Sequence, residues 1–238
     1  MSDLENQQDT TESSRNDGLS RRKLVAAGVV GGLGVVPAAS HEAAEAADGS
    51  RAATGPRGST VAEFRGRIVQ KGSTGESFTS YGYLTRLSRT RRSALFDSGV
   101  HDETTALLTA FAHGDLRARV LDMSVHSLDI VGTMTIYQRA HGGATFADPA
   151  TFKVGTPVAR YDLVLQDILT VFAPARGLPT LTGDLTQTRA KSLSGALAGS
   201  TFGRRGNRLR MFATGLGELV DPVTLNALLE IAGNWSAE

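Results

Sequence analysis

Alternation of apolar and polar residues becomes regular at position 61 and continues, with interruptions, to the C-terminus. In VAEFRGRIVQ, residues 61–70, Ala62, Phe64, Gly66 and Ile68 fall on one side, with Glu63, Arg65 and Arg67 on the other. A period of two places successive side chains on opposite faces of an extended chain, so this stretch predicts a half-buried strand. Lys71-Gly72-Ser73-Thr74-Gly75 then supplies turn residues, and SFTSYGYLTRL resumes an extended pattern rich in Thr and Tyr. The two runs read as a hairpin. Further strands are predicted at 129–138, 180–189 and 207–215, each bounded by Gly, Pro, Asn or Asp.

Three segments resist this pattern. In 102–113, Asp102 stands as an N-cap and Gly114 follows the apolar residues, as in a helix. Residues 158–172 are apolar at both spacings. Asp221-Pro222, then LNALLEIA, then Gly233-Asn234 has the layout of a helix with Pro at its first position and Gly past its end. Helix and strand both stay open for 102–113, 158–172 and 222–232. Glycines inside the runs, at 66, 82, 132, 183 and 215, weaken a flat strand and suit the bends of a curled one. The expected domain, residues 61–238, is mainly β: a single curled antiparallel sheet or a small β-barrel, with one or two short helices.

Tyr81-Gly82-Tyr83-Leu84-Thr85 and the glycine-interrupted strands after it resemble the small β-barrels of the allene oxide cyclase and dirigent group. The likeness is one of texture over residues 61–218 and not of a motif. It implies a barrel whose interior takes apolar or phenolic molecules and guides their cyclisation or coupling. It transfers no catalytic residue.

The first 60 residues have a different texture. A polar stretch to Leu19 leads into Ser20-Arg21-Arg22-Lys23-Leu24-Val25, then into an uncharged run ending at Ser40. Ala44-Glu45-Ala46 before Ala47 completes the layout of a removable secretory signal. The arginine pair directly before a weakly apolar, glycine-diluted run resembles the twin-arginine signal. That run is shorter and less apolar than the roughly 20 residues of a membrane span. The expected organisation is a twin-arginine signal peptide at 1–46, a flexible linker at 47–60 and the β-rich domain. Export implies the twin-arginine translocase and signal peptidase as partners, no stable membrane span, and a periplasmic, envelope or extracellular destination.

Composition narrows the chemistry. The chain has no cysteine, which excludes disulfides, thiolate zinc sites, iron–sulfur clusters and thiol catalysis. Cleavage after Ala46 takes the 25 basic and 24 acidic residues to 21 and 17, a mildly basic balance without the field of a nucleic-acid binder. No nucleophile elbow, P-loop, HExxH or EF-hand loop is present. No metal or cofactor is expected. His113 with Asp115, and His126 with Asp129, set an imidazole near a carboxylate, but these spacings are not diagnostic. Arg86, Arg89, Arg91 and Arg92, and then Arg204, Arg205, Arg208 and Arg210, read as solvated faces or turns.

Closure of the sheet is what would bring interior polar groups together. Asp184, Gln187 or Arg189 on one strand then meets Tyr81 or Tyr83 on another, with Tyr137 and Asp167 in the same undecided set. Tyr81, Tyr83, Tyr137, Asp184 and Arg189 are the candidate binding residues, and no catalytic residue is identified. The function expected is that of an exported, non-catalytic β-domain binding a small apolar molecule or an envelope component. The alternative is a cofactor-independent barrel enzyme of cyclase or isomerase type using interior Tyr, Asp and Arg groups. Replacing Arg21 and Arg22 together by Lys should hold the precursor in the cytoplasm, read by fractionation and immunoblotting. Undiminished export of that double variant would refute the twin-arginine assignment.

Overall fold

A computed structural model describes residues 51–52 and 56–238. The expected signal peptide and most of the linker lie outside the described residues, so neither Arg21 and Arg22 nor Ala44, Ala46 and Ala47 belong to the account of the fold.

Among the described residues the barrel strands are β1 (Thr60–Lys71), β2 (Ser77–Leu87), β3 (Leu108–Asp122), β4 (Val125–Gln138), β5 (Thr156–Ala173), β6 (Arg176–Ala190), β7 (Arg208–Asp221) and β8 (Asn226–Ala237), and the short runs Arg51–Ala52 and Ser200–Thr201 pair in parallel apart from them. Each barrel strand pairs antiparallel with the next, and β8 returns to pair with β1, which closes an up-and-down barrel. The β expectation is thus met in its barrel form. Among the described residues the helical content is three short 3-10 turns, Arg92–Leu95, Pro149–Lys153 and Gly195–Leu197.

The segments left open by periodicity are resolved by pairing. Residues 158–172 lie within β5, whose inward side chains alternate from Tyr161 through Leu163 and Leu165 to Asp167. The segment after Asp221-Pro222, open between helix and strand, is a turn and then a strand. Asp221 accepts the Val223 N–H (2.9 Å) and the Thr224 hydroxyl (2.6 Å), which reverses the chain. Leu229, Ile231 and Trp235 then point inward from β8 at even spacing. Strand pairing on both sides of β8 supplies the backbone hydrogen bonds that a helix would have made internally, and it removes the barrel's free edges. Residues 102–113 likewise end in β3.

Interior and exterior follow the alternation read in the sequence. Ala62, Phe64, Gly66 and Ile68 face in, and Arg65, Arg67, His113, Asp115, Arg160, Asp162, Asp184 and Arg210 face out. An apolar interior and a charged exterior reverse the polarity of a lipid-embedded barrel. Among the described residues no helix is long and apolar enough to cross a membrane. Two interior glycine pairs permit the curl: Gly66 faces Gly82, and Gly114 faces Gly132. A Cβ on Gly82 would meet the Arg65 carbonyl oxygen and the Gly66 Cα of the next strand.

The two ends of the barrel differ. Residues 88–107 and 191–207 form long connections at one end. They bury Leu95, Leu193, Leu197 and Phe202 in the same core cluster as Leu87, Leu185 and Trp235. At the other end the four connections are tight, residues 72–76, 123–124, 174–175 and 222–225. The third long connection, 139–155, folds outside over β2 and β3. Its conformation is held by Arg139, which donates to the carbonyls of Thr151, Gly142 and His141 (2.5–3.1 Å).

Candidate functional site

The hairpin end opens into an apolar cavity of about 170 Å3. Its walls are Leu128, Leu169, Val171, Leu219, Leu225 and Leu229, supplied by β4, β5, β7, β8 and the last hairpin. A void of about 150 Å3 with apolar walls takes a benzene-sized molecule. The space exists because small residues stand inward here: Gly177 on β6, Gly217 on β7 and Ala227 on β8. An eight-stranded barrel is just wide enough to be filled by its own side chains, so a few small residues in one layer leave room for a ligand.

Six polar side chains line this cavity, Gln70, Arg119, His126, Asp167, Arg176 and Glu218. Gln70 is buried and donates from Nε2 to the Gly75 carbonyl (3.0 Å). Arg119 reaches over from β3, giving hydrogen bonds to the carbonyls of Thr74 (2.8 Å) and Gly75 (3.0 Å). Together they tie the 72–76 turn across the mouth. That turn is ordered from within by Glu76, whose carboxylate accepts the Thr74 N–H (2.8 Å) and hydroxyl (3.1 Å). These bonds, led by the Thr74 N–H, hold the Glu76 carboxyl down at about 2.

Asp167 points inward from β5 between Leu128 and Leu181, is 3% exposed, and its Oδ1 has no hydrogen-bond partner. Burial pushes its carboxyl up to about 7, with the Thr180 N–H offsetting only part of the shift. Loss of solvation disfavours the charged form, so the group is held as a neutral acid well above the ordinary carboxylate range. Among the described residues three other buried side-chain atoms lack a partner, Gln187 Oε1, Asn226 Oδ1 and Trp235 Nε1, and none of these residues lines this cavity.

The hairpins around the mouth have two further properties. Met123, Ala175 and Leu225 sit in the left-handed region, at φ of 46°, 60° and 56°. Non-glycine residues there cost about 1–2 kcal/mol each, and such strain tends to collect at binding sites. Apolar side chains also stand exposed on the same loops and strand ends: Leu121, Met123, Val125, Phe172, Val220 and Val223. The apolar surface of the cavity therefore continues onto its lip.

The residues singled out from the sequence lie elsewhere. Tyr81 and Tyr83 are on the outer face of β2, opposite Arg67 and Arg65 on β1. Tyr81 is covered by the 139–155 connection and packs on Phe152 and Phe146, at ring distances of 5.3 and 6.0 Å. The bulge between Glu63 and Phe64 does not change this, since Gly82 between the two tyrosines takes the inward position. Asp184 faces out from β6 and binds Arg210 (2.6 Å). Arg189 is exposed opposite Arg160, and Tyr137 is half-buried opposite Thr109 on the outer side. Closure does not bring these five together. Of the groups named as interior fillers, Asp167 and Gln187 do face inward, at opposite ends of the barrel.

The other motifs resolve similarly. His113 and Asp115 approach to 3.9 Å on the solvent face. His126 faces the mouth, whereas Asp129 faces out toward Gln166. From the arginine clusters, Arg86 binds Glu63 (2.9 Å) and Arg208 binds Glu238 (3.3 Å), both on the outer face. A second recess, about 410 Å3, lies outside β1 and β8 and is lined by Arg65, Arg67, Asp102, Glu103 and Glu230. Its charges offset one another, and Arg67 is already bound to Glu230 (2.7 Å).

Sequence reading gave no weight to Gln70, Arg119 or the small inward residues of β6 and β7. The available signal was the polar residue at 167 in a run where every second position is otherwise apolar. No family model matches the chain, and neither a curated protein nor a solved structure matches it.

Asp167 makes stability depend on pH with a definite sign. The unfolded carboxyl titrates near its ordinary value of 3.8 and the folded one at about 7. The stabilisation is therefore complete below pH 3.8 and is lost as pH rises through about 7. Asp167→Asn should remove this fall. Urea unfolding of both proteins at the two ends of the window should show the variant gaining on the parent by on the order of a few kcal/mol at the alkaline end. A constant difference across the window would mean that Asp167 ionises freely in the folded chain.

Proposed function

We propose that the domain is an exported carrier or receptor for a small apolar molecule, which it holds in the hairpin-end mouth of the barrel. The observation that supports this best is the cavity of about 170 Å3, with apolar walls and convergent polar groups, at the one end that no long loop fills. A concave apolar site with a few placed polar groups is the usual form of a small-molecule site. The strained hairpins and apolar lip support the same reading. Export through the twin-arginine route, inferred from Arg21 and Arg22, places the site outside the cytoplasm.

A second reading has one observation in its favour. A buried carboxylic acid kept neutral in an apolar cavity is suited to giving up or taking a proton, as a cofactor-independent isomerase or cyclase requires. The carrier reading is preferred because Asp167 makes no ion pair among the described residues and its strand neighbours, Leu128 and Leu181, are aliphatic.

Filling the mouth tests the carrier reading. Gly217 has ordinary backbone, and a Cβ there would find its nearest neighbours at 3.5 Å or more. Gly217→Phe should therefore occupy the cavity without displacing a strand. Native mass spectrometry of protein recovered from the exported fraction should show a small-molecule adduct on the parent and none on the variant. Adducts on both would place the ligand elsewhere, and a bare parent would contradict a tightly held one.

A further inference from the structure

We propose that the Asp167 carboxyl anchors an uncharged oxygen on an otherwise apolar ligand, a ketone, ester or alcohol seated in the hairpin-end mouth. The inference rests on the mouth being the binding site and adds the chemistry of what it accepts. Asp167 lies on the inward face of β5 and lines the cavity, and its Oδ1 is both buried and without a partner. An unmet buried carboxyl oxygen costs free energy that a complementary group can recover. Here the strand neighbours, Leu128 and Leu181, are aliphatic and no side chain meets that oxygen, so that group has to arrive with the ligand.

The charges around the mouth decide what kind of group it is. Arg119 on β3, His126 on β4, Arg176 at the start of β6 and Glu218 on β7 line the cavity with Asp167, and Glu76 stands in the turn across it. From β1 and β8 come only Gln70, Ala227 and Leu229. An organic cation would have to pass two guanidinium groups. The Gly75 carbonyl, which already receives Gln70 and Arg119, has little left to offer it. An anion buried at the floor would face the Asp167 carboxyl, with the Arg119 guanidinium already committed to two backbone carbonyls. An uncharged oxygen meets neither obstacle. It accepts a hydrogen bond from the carboxylic acid and leaves the rest of the molecule against leucine and valine. A carboxyl raised to about 7 supplies that donor below that pH.

Matched one-ring molecules test this, because they fit a cavity of this size and differ in one group. Binding of ethylbenzene, acetophenone, benzoate and benzylammonium to the protein is measured by calorimetry at about pH 5.5, where Asp167 is protonated, and again for the first two at about pH 9. Acetophenone should bind about three- to tenfold more tightly than ethylbenzene at the lower pH, the worth of one net hydrogen bond. That preference should vanish at the higher pH. Asp167→Leu should lose the preference while keeping ethylbenzene binding. Asp167→Asn, which still donates, should keep it at both pH values, which separates Asp167 from His126 as the titrating group. Equal binding of acetophenone and ethylbenzene to the parent would overturn the anchor and leave the mouth as an apolar site. Tightest binding of benzylammonium or benzoate would overturn it in favour of a charged ligand. Failure of all four to bind would remove the mouth reading itself.

Discussion

The pairing of Asn226–Ala237 with Thr60–Lys71 closes the sheet, and closure fixes the width of the space inside. Eight strands enclose a column that ordinary side chains can fill. Whether any space remains is then a question of which residues stand inward in each layer. Through the middle, Phe64, Met134, Leu163, Leu165, Met211 and Ile231 fill the column almost completely, leaving about 50 Å3. Toward the long-loop end Trp235, stacked on Phe64 at 5.3 Å, and the loop residues Leu197 and Phe202 complete the core. Toward the hairpin end the inward residues shrink to Gly177, Gly217 and Ala227, and the cavity appears.

Order in the connections follows the same asymmetry. Long connections bring their own apolar side chains and serve as a plug. Short ones have none to spare, and their apolar residues stand exposed around the opening. The 72–76 turn is the exception, a polar segment tied back by Gln70 and Arg119. Arg119 is partly buried to do this, and burial lowers the proton affinity of its guanidinium. The turn's bonds to Arg119 and Gln70 are side-chain bonds that lie outside the barrel ladder.

The barrel was legible in the sequence because alternation reports which side of a strand is buried. It did so correctly for β1, where Phe64 and Ile68 face in. It was weaker for β5, apolar at both spacings, and for β8, where Asp221-Pro222 and Gly233 imitate the ends of a helix. Tertiary pairing overrode the local signal in both. The candidate tyrosines show a different limit. Tyr81 and Tyr83 are buried, but by a loop on the outside of the barrel. Alternation gives the relative face of two residues and not which face the chain closes around, nor that an excursion such as 139–155 will cover the other. Asp167 was visible as a polar residue among apolar ones. Its importance came only from neighbours on β3, β4 and β6 that are distant in sequence.

The cavity at the hairpin end is the feature on which a ligand-binding role depends. A crystal of the protein pressurised with xenon tests it most directly, since xenon enters dry apolar cavities without needing a polar partner. A xenon peak is expected among Leu128, Leu169 and Leu229 in the parent and is expected to be absent in Gly217→Phe. Xenon bound only elsewhere, or a mouth filled with ordered water in place of gas, would contradict it.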